Sequence, residues 1–176
     1  MSVYYTYLIS SLPMLSFSAK LPFSLEDFFA RCDNLVPRAE IELLRKLAGS
    51  QEYLFLSPGP ETLKRWISFE VALRNELVRA RAGRKRIDPL KFIRREDAPS
   101  ASISHVAMAA YRSVSILEGE KILDQARWEF LEGLGFEHYF DFDYLLIYAL
   151  KLKILERWDK IQKADKDQLL NAAVSN

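Results

Sequence analysis

With 176 residues, 49% hydrophobic and 28% charged, the chain has an ordinary globular balance and enough length for one core or two small lobes. Its net charge of +1 removes any global pull toward nucleic acid or an anionic membrane. The single cysteine, Cys32, excludes an intramolecular disulfide and any site built from several thiolates, and suits a reducing cytoplasm.

The opening MSVYYTYLISSLPML lacks the basic flank of a signal peptide, and Pro13 and the serines interrupt it before it could cross a bilayer. Val3 to Leu12 fits either a short strand or a first helix ended by Pro13, and the helical character of the rest favours helix. Ser24, with Asp27 three residues on, predicts a capping-box start to a helix running to about Cys32. Pro37 suits the first turn of a helix carrying Ile41, Leu44 and Leu47 and stopping at Gly49. Glu52 to Leu56 reads as a brief extended piece, and Pro58-Gly59-Pro60 as a turn. A long helix then spans Glu61 to Gly83, with Gly83 as its C′ residue, and Asp88-Pro89 opens a short helical stretch from Leu90 to Arg94.

Glu96 to Ser102, with Pro99 among small residues, is the best internal linker. It divides the chain into an N-terminal helical lobe (1–95), a linker (96–102) and a C-terminal helical lobe (103–176), unless the helices form one continuous domain. Beyond it lie helices from Ser102 to about Arg112 and from Ile116 to Leu134. The sequence EHYFDFD then leads into Tyr144 to about Ile161, apolar nearly all the way round and therefore expected at the centre of a packed body. That run is shorter than the roughly 20 apolar residues a membrane span needs, so no transmembrane helix is expected. The tail from Gln162 is polar and expected to fray. The fold class is all-α: a helical bundle, in one domain or two lobes.

The long helix carries charges inside its oily face. Leu63, Trp66, Ile67, Phe69, Val71, Leu73, Leu77, Val78 and Ala80 form a broad apolar arc at 100° per residue, with Glu70, Arg74 and Arg81 near its middle. In the acidic helix, Ile116, Leu123, Ala126, Phe130, Leu131 and Leu134 make the stripe, with Glu120 and Arg127 inside it and Asp124 on its border. A buried charge costs several kcal/mol unless paired. These residues are therefore either mutual ties between helices or contacts to another protein. Asp124 and Arg127, one turn apart, can pair and tie to Glu70 or Arg74. Flanked by Trp128, they also have the composition of an interface hot spot. Glu156, Arg157 and Trp158 repeat that mix of acid, guanidinium and indole.

Motifs for chemistry are scarce. The sequence has no nucleophile elbow, phosphate-cradling glycine loop or HExxH helix. Cys32 with His105 is a conceivable nucleophile and base, but a lone Cys more often serves as a small apolar residue. Glu118, Glu120, Asp124 and His138 invite a metal reading; without any Glu-x-x-His, an acidic solvated face explains them better. No catalytic residue, cofactor or metal ligand is assigned. Charge is unevenly spread: Arg79 to Arg95 holds eight basic residues against Asp88, and Glu118 to Asp143 holds eight acids against Lys121 and Arg127. The basic run, with Phe92 for stacking, could hold phosphate backbones, although the acidic half offsets its field.

Taken together, YYTYLISSLPMLSF, RWISFEVALRNELVRARAGR, ILDQARWEFLE and HYFDFDYLLIYALKLKILERW resemble an uncharacterised bacterial family whose genes accompany V-type ATPase genes, itself similar to the C subunit of V/A-type ATPases. Glu70, Arg74, Asn75, Asp124, Arg127, Trp128, Glu156 and Arg157 make the blocks specific. The resemblance implies a non-catalytic helical protein at the inner face of the membrane, contacting the central stalk and rotor ring of an ion- or proton-transporting ATPase. The chain is shorter than a full C subunit and lacks its threefold internal repeat. Candidate docking surfaces are the basic segment with Arg84, Lys85, Arg86, Arg94 and Arg95, and the acidic stretch Glu137 to Asp143. The alternatives are a nucleic-acid-binding or regulatory module using residues 79–95, and an enzyme with a pocket between the charged helices.

Overall fold

The computed structural model describes residues 5–49, 59–94 and 101–174, with side chains of the last helix described to 164. Among these are seven α-helices and no strand, the all-α architecture expected. They are α1 (Tyr5–Ser11), α2 (Leu25–Cys32), α3 (Arg38–Gly49), α4 (Glu61–Lys85), α5 (Ala101–Arg112), α6 (Ile116–Gly135) and α7 (Phe142–Val174), with a 3₁₀ turn at Pro89–Lys91. The extended piece expected over Glu52 to Leu56 lies outside the described residues.

The chain divides into two compact units. One combines Met1–Gln51 with Leu134–Asn176; the other is Glu52–Gly133. The units do not part at 96–102: that segment joins α4 to α5, and those helices pack on each other inside the second unit. Residues 96–100 themselves fall outside the described set.

In the first unit, α7 is the axis. Leu145 to Leu150 are buried without a break, so every side of this helix faces protein, as its uninterrupted apolar run predicts. Helices α2 and α3 pack against it, bringing Phe28 within 5.4 Å of the Tyr148 ring. Full burial of each such Leu or Phe contributes roughly 1.5–3 kcal/mol. Polar ends are tied off: Tyr148 donates to Pro13 O (3.0 Å), and Lys153 donates to Leu47 O (3.0 Å) in the last turn of α3. Tyr5 of α1 donates to Glu40 of α3; burial and that carboxylate push its phenol above the usual range. The Ser24–Asp27 capping box is present, with reciprocal bonds of 3.1 Å. Hydrogen bonds from Ser24 hold the Asp27 carboxyl below its ordinary value. The tail does not fray at Gln162 but stays helical to Val174. The Asp159–Lys163 pair (2.6 Å) and residues of good helix propensity carry it on.

In the second unit, α4 runs two residues past Gly83. Arg86, not glycine, takes the left-handed position (φ 52°), with Arg86 N–H bonded to Gly83 O (3.3 Å) and Ile87 N–H to Ala82 O (3.2 Å). That is a Schellman closure with an arginine at C′. The short helix expected over Leu90 to Arg94 is instead the 3₁₀ turn, capped by Asp88, whose carboxylate accepts from Leu90 N (3.0 Å). Buried positions of α5 are alanines, Ala107 and Ala110. Gly119 meets this corner closely: a Cβ there would stand 2.8 Å from Ala110 O.

Candidate functional site

Four embedded charges converge in the second unit. Arg127 Nε donates to Glu70 Oε1 at 2.5 Å, and its Nη1 donates to Asp124 Oδ1 at 2.8 Å. Arg74, one turn beyond Glu70, reaches Glu70 Oε2 at 3.5 Å. The Glu70 and Asp124 side chains are 2% exposed and that of Arg127 is 15% exposed. Two acids thus face two guanidiniums, so the layer linking α4 to α6 is neutral overall. Burial opposes the charge on Arg127, but both carboxylates outweigh it and hold the guanidinium protonated above its ordinary range.

Aromatic rings flank the tie. Phe69 and Phe130 stack at 4.1 Å between centroids with 9° between planes, and Trp66 lies 5.9 Å from the former. Trp66 Nε1 is buried without a hydrogen-bond partner. Both Glu70 oxygens face arginine, an arrangement suited to holding two helices in register and ill suited to moving protons.

The other predicted residues of this unit separate. Asn75 clasps the backbone of Arg94 at two points, donating from Nδ2 to its carbonyl (2.7 Å) and accepting at Oδ1 from its N–H (3.0 Å). Trp128 is buried, and its indole donates to Glu132 at 2.9 Å, which makes it a core residue and not a surface anchor. Arg81 is exposed, against its expected place in the apolar arc. Over the last turns of α4, Leu77, Val78 and Ala80 are only half-buried, so an arginine there reaches water. With Leu77, Tyr111, Val114 and Glu120, Arg81 edges a hollow of about 260 Å³. Ile116, expected in the α6 stripe, is exposed at the same corner.

In the first unit, Glu156 accepts from Lys160 Nζ (3.1 Å) and from Leu25 N (3.4 Å) at the start of α2. Arg157 is exposed and Trp158 half-buried. Cys32 is fully buried, and burial pushes its thiol up to about 12, while His105 is exposed on α5 in the other unit. A thiol so placed packs and does not attack. The solvated acidic face expected of Glu118, Glu120, Asp124 and His138 fails at Asp124, which is buried; His138 stands with Asp141 and Asp143, their possible ligand atoms within 4.8 Å of one another. Asp141 already works as the N-cap of α7, accepting from Tyr144 N (2.9 Å), with its other oxygen 2.6 Å from His138 Nδ1. Helix capping accounts for Asp141 and His138, whereas Asp143 Oδ1 is buried without a hydrogen-bond partner.

The basic segment faces water, and of the acids in Glu137 to Asp143 only Glu137 is exposed, Asp141 and Asp143 being half-buried. Arg84, Lys85, Arg86 and Arg94 are exposed; Arg95 lies outside the described residues. Phe136, Tyr139 and Phe140 are exposed beside Glu137 in the acidic segment.

Residues 101–175 match a protein family. It is described as "Protein of unknown function (DUF2764)", and the match takes in α5, α6 and α7, short of half the chain. No curated protein and no solved structure matches.

Proposed function

We propose that this chain is a non-catalytic component or accessory protein of a bacterial V-type ATPase, akin to the C subunit and working by contact with other parts of the complex. The observation that carries the reading is the separation of its charges. The embedded ones close on each other across α4 and α6, while exposed charges are spread over the helices, with a run of cations at Arg84, Lys85, Arg86, Lys91 and Arg94. A helical unit whose buried charges are paired and whose exposed cations cluster at one loop suits docking onto an acidic partner. The four-block resemblance supplies the partner class. The pocket-enzyme alternative required an unpaired Glu70 or Asp124, and both are engaged by arginine.

Affinity capture from the native host tests the proposal. Tagged chain, solubilised with its membranes, should bring down stalk or rotor proteins of the ATPase at working salt. Capture without any ATPase component would overturn it.

A further inference from the structure

The loop that closes α4 combines features a solvated helix end does not need. Ile87, Leu90 and Phe92 are 46%, 64% and 58% exposed, three large apolar side chains within six residues. Arg84, Lys85, Arg86, Lys91 and Arg94 are exposed around them. The one acid in the segment, Asp88, is engaged in capping Leu90 N. Cations in a last helical turn complement the helix dipole, which accounts for Arg84 and Lys85 but not for the apolar residues. The segment is also held in shape. The Schellman closure fixes one end, the 3₁₀ turn the middle, and the Asn75 clasp on Arg94 the other end. A preformed wedge loses little freedom on binding.

We infer that residues Arg84 to Arg94 form a binding site for an anionic lipid surface, with Ile87, Leu90 and Phe92 entering the interface while Arg84, Lys85, Arg86 and Lys91 meet headgroup phosphates. Charge complementarity and amphipathic exposure single out this occupant. A nucleic acid would engage the cations and the Phe92 ring but leave Ile87 and Leu90 without partners. The inference stands without the ATPase reading, since a chain with no ATPase partner would still bind vesicles.

Vesicle co-sedimentation of the full chain tests it, with phosphatidylcholine alone and with added phosphatidylserine, at low and high salt. Binding should require phosphatidylserine and weaken with salt. Each cation near such a surface contributes roughly fivefold to partitioning, so R84Q/K85Q/R86Q should lower it about 100-fold. Replacement of the wedge in L90S/F92S should lower it about tenfold. All five replaced side chains are exposed, so both variants should melt with the parent, checked by circular dichroism. Equal sedimentation with neutral vesicles, or none with either, overturns the inference. Phosphatidylserine-dependent binding that ignores L90S/F92S overturns the insertion. Retention on single-stranded DNA or RNA that follows the arginines, with no vesicle binding, assigns the segment to nucleic acid instead.

Discussion

Arg127 is the cation that Glu70 and Asp124 share, and Arg127→Met removes it while keeping most of its volume. Breaking one side of a buried ion pair costs about 3–5 kcal/mol. Arg74 remains 3.5 Å from Glu70 and tempers the loss, so we expect about 3 kcal/mol at neutral pH. Urea unfolding followed by fluorescence in a Trp158→Phe background reads the right unit, because Trp66 and Trp128 both lie in Glu52–Gly133. The charge-neutral triple E70Q/D124N/R127M, which leaves no buried carboxylate without its cation, should recover part of the loss, short of all of it because the buried amides still need partners. A deficit below about 0.5 kcal/mol, the scale of an exposed pair, would refute the buried-tie assignment.

Further expectations follow from particular residues. Gly83 sits inside α4 with open space where a methyl would stand, so Gly83→Ala should stabilise by about 0.5–1 kcal/mol; Arg86→Gly, relieving a left-handed arginine, should also stabilise by about 1 kcal/mol. Thermal melts decide both, and a destabilising Gly83→Ala would restore the glycine to C′. Gly119→Ala forces a methyl against Ala110 O and should cost about 1–3 kcal/mol in the same assay. Asn75→Ala removes two bonds to Arg94 and should cost about 1–3 kcal/mol, with lost amide protection at Arg94 in hydrogen exchange. Cys32 should resist iodoacetamide at mildly alkaline pH until the chain unfolds. Its thiol is raised from 9.0 to about 12 by burial, so stability tied to the neutral thiol is intact below 9.0. Above that, the unfolded thiol ionises first, and stability falls by up to about 1.4 kcal/mol per pH unit as pH climbs toward the folded value. Rapid alkylation of folded protein would contradict this.

Much of the fold was legible because its signals are local. The Ser24–Asp27 box and the all-round apolar run of α7 each act through neighbours in sequence and stand as expected, and Pro37, expected in the first turn, stands one residue ahead of α3 with its carbonyl accepting from Ile41 N. Ser115 with Glu118 is a comparable signal that the spacing argument missed: Ser115 Oγ accepts from Glu118 N at 3.1 Å and starts α6. So is Gly119, an isolated glycine within a helical pattern, which marks the close approach to Ala110. Periodicity placed Glu70 and Arg127 inside apolar faces correctly, because burial of a stripe is a property of the helix itself, but it set Asp124 only on the border of a stripe in which that side chain is 2% exposed. It misplaced Arg81 and Ile116, since where a stripe ends depends on which neighbour covers it. Gly83 misled for a similar reason: glycine permits a left-handed cap but does not enforce one, and the Schellman bonds form three residues later. Asn75 carried no periodic signal at all. Its two bonds go to the backbone of Arg94 and depend on a chain reversal that no spacing rule encodes.

The most direct test of the closed charge layer is a double-mutant cycle between Glu70 and Arg127, using Glu70→Gln and Arg127→Met, read by urea unfolding at neutral pH. The layer predicts a coupling energy above about 2 kcal/mol, with the double variant losing less than the sum of the singles. Additivity within about 0.5 kcal/mol would show that the two side chains do not hold α4 to α6, and the account of a stiff body with its charges closed inside would be contradicted.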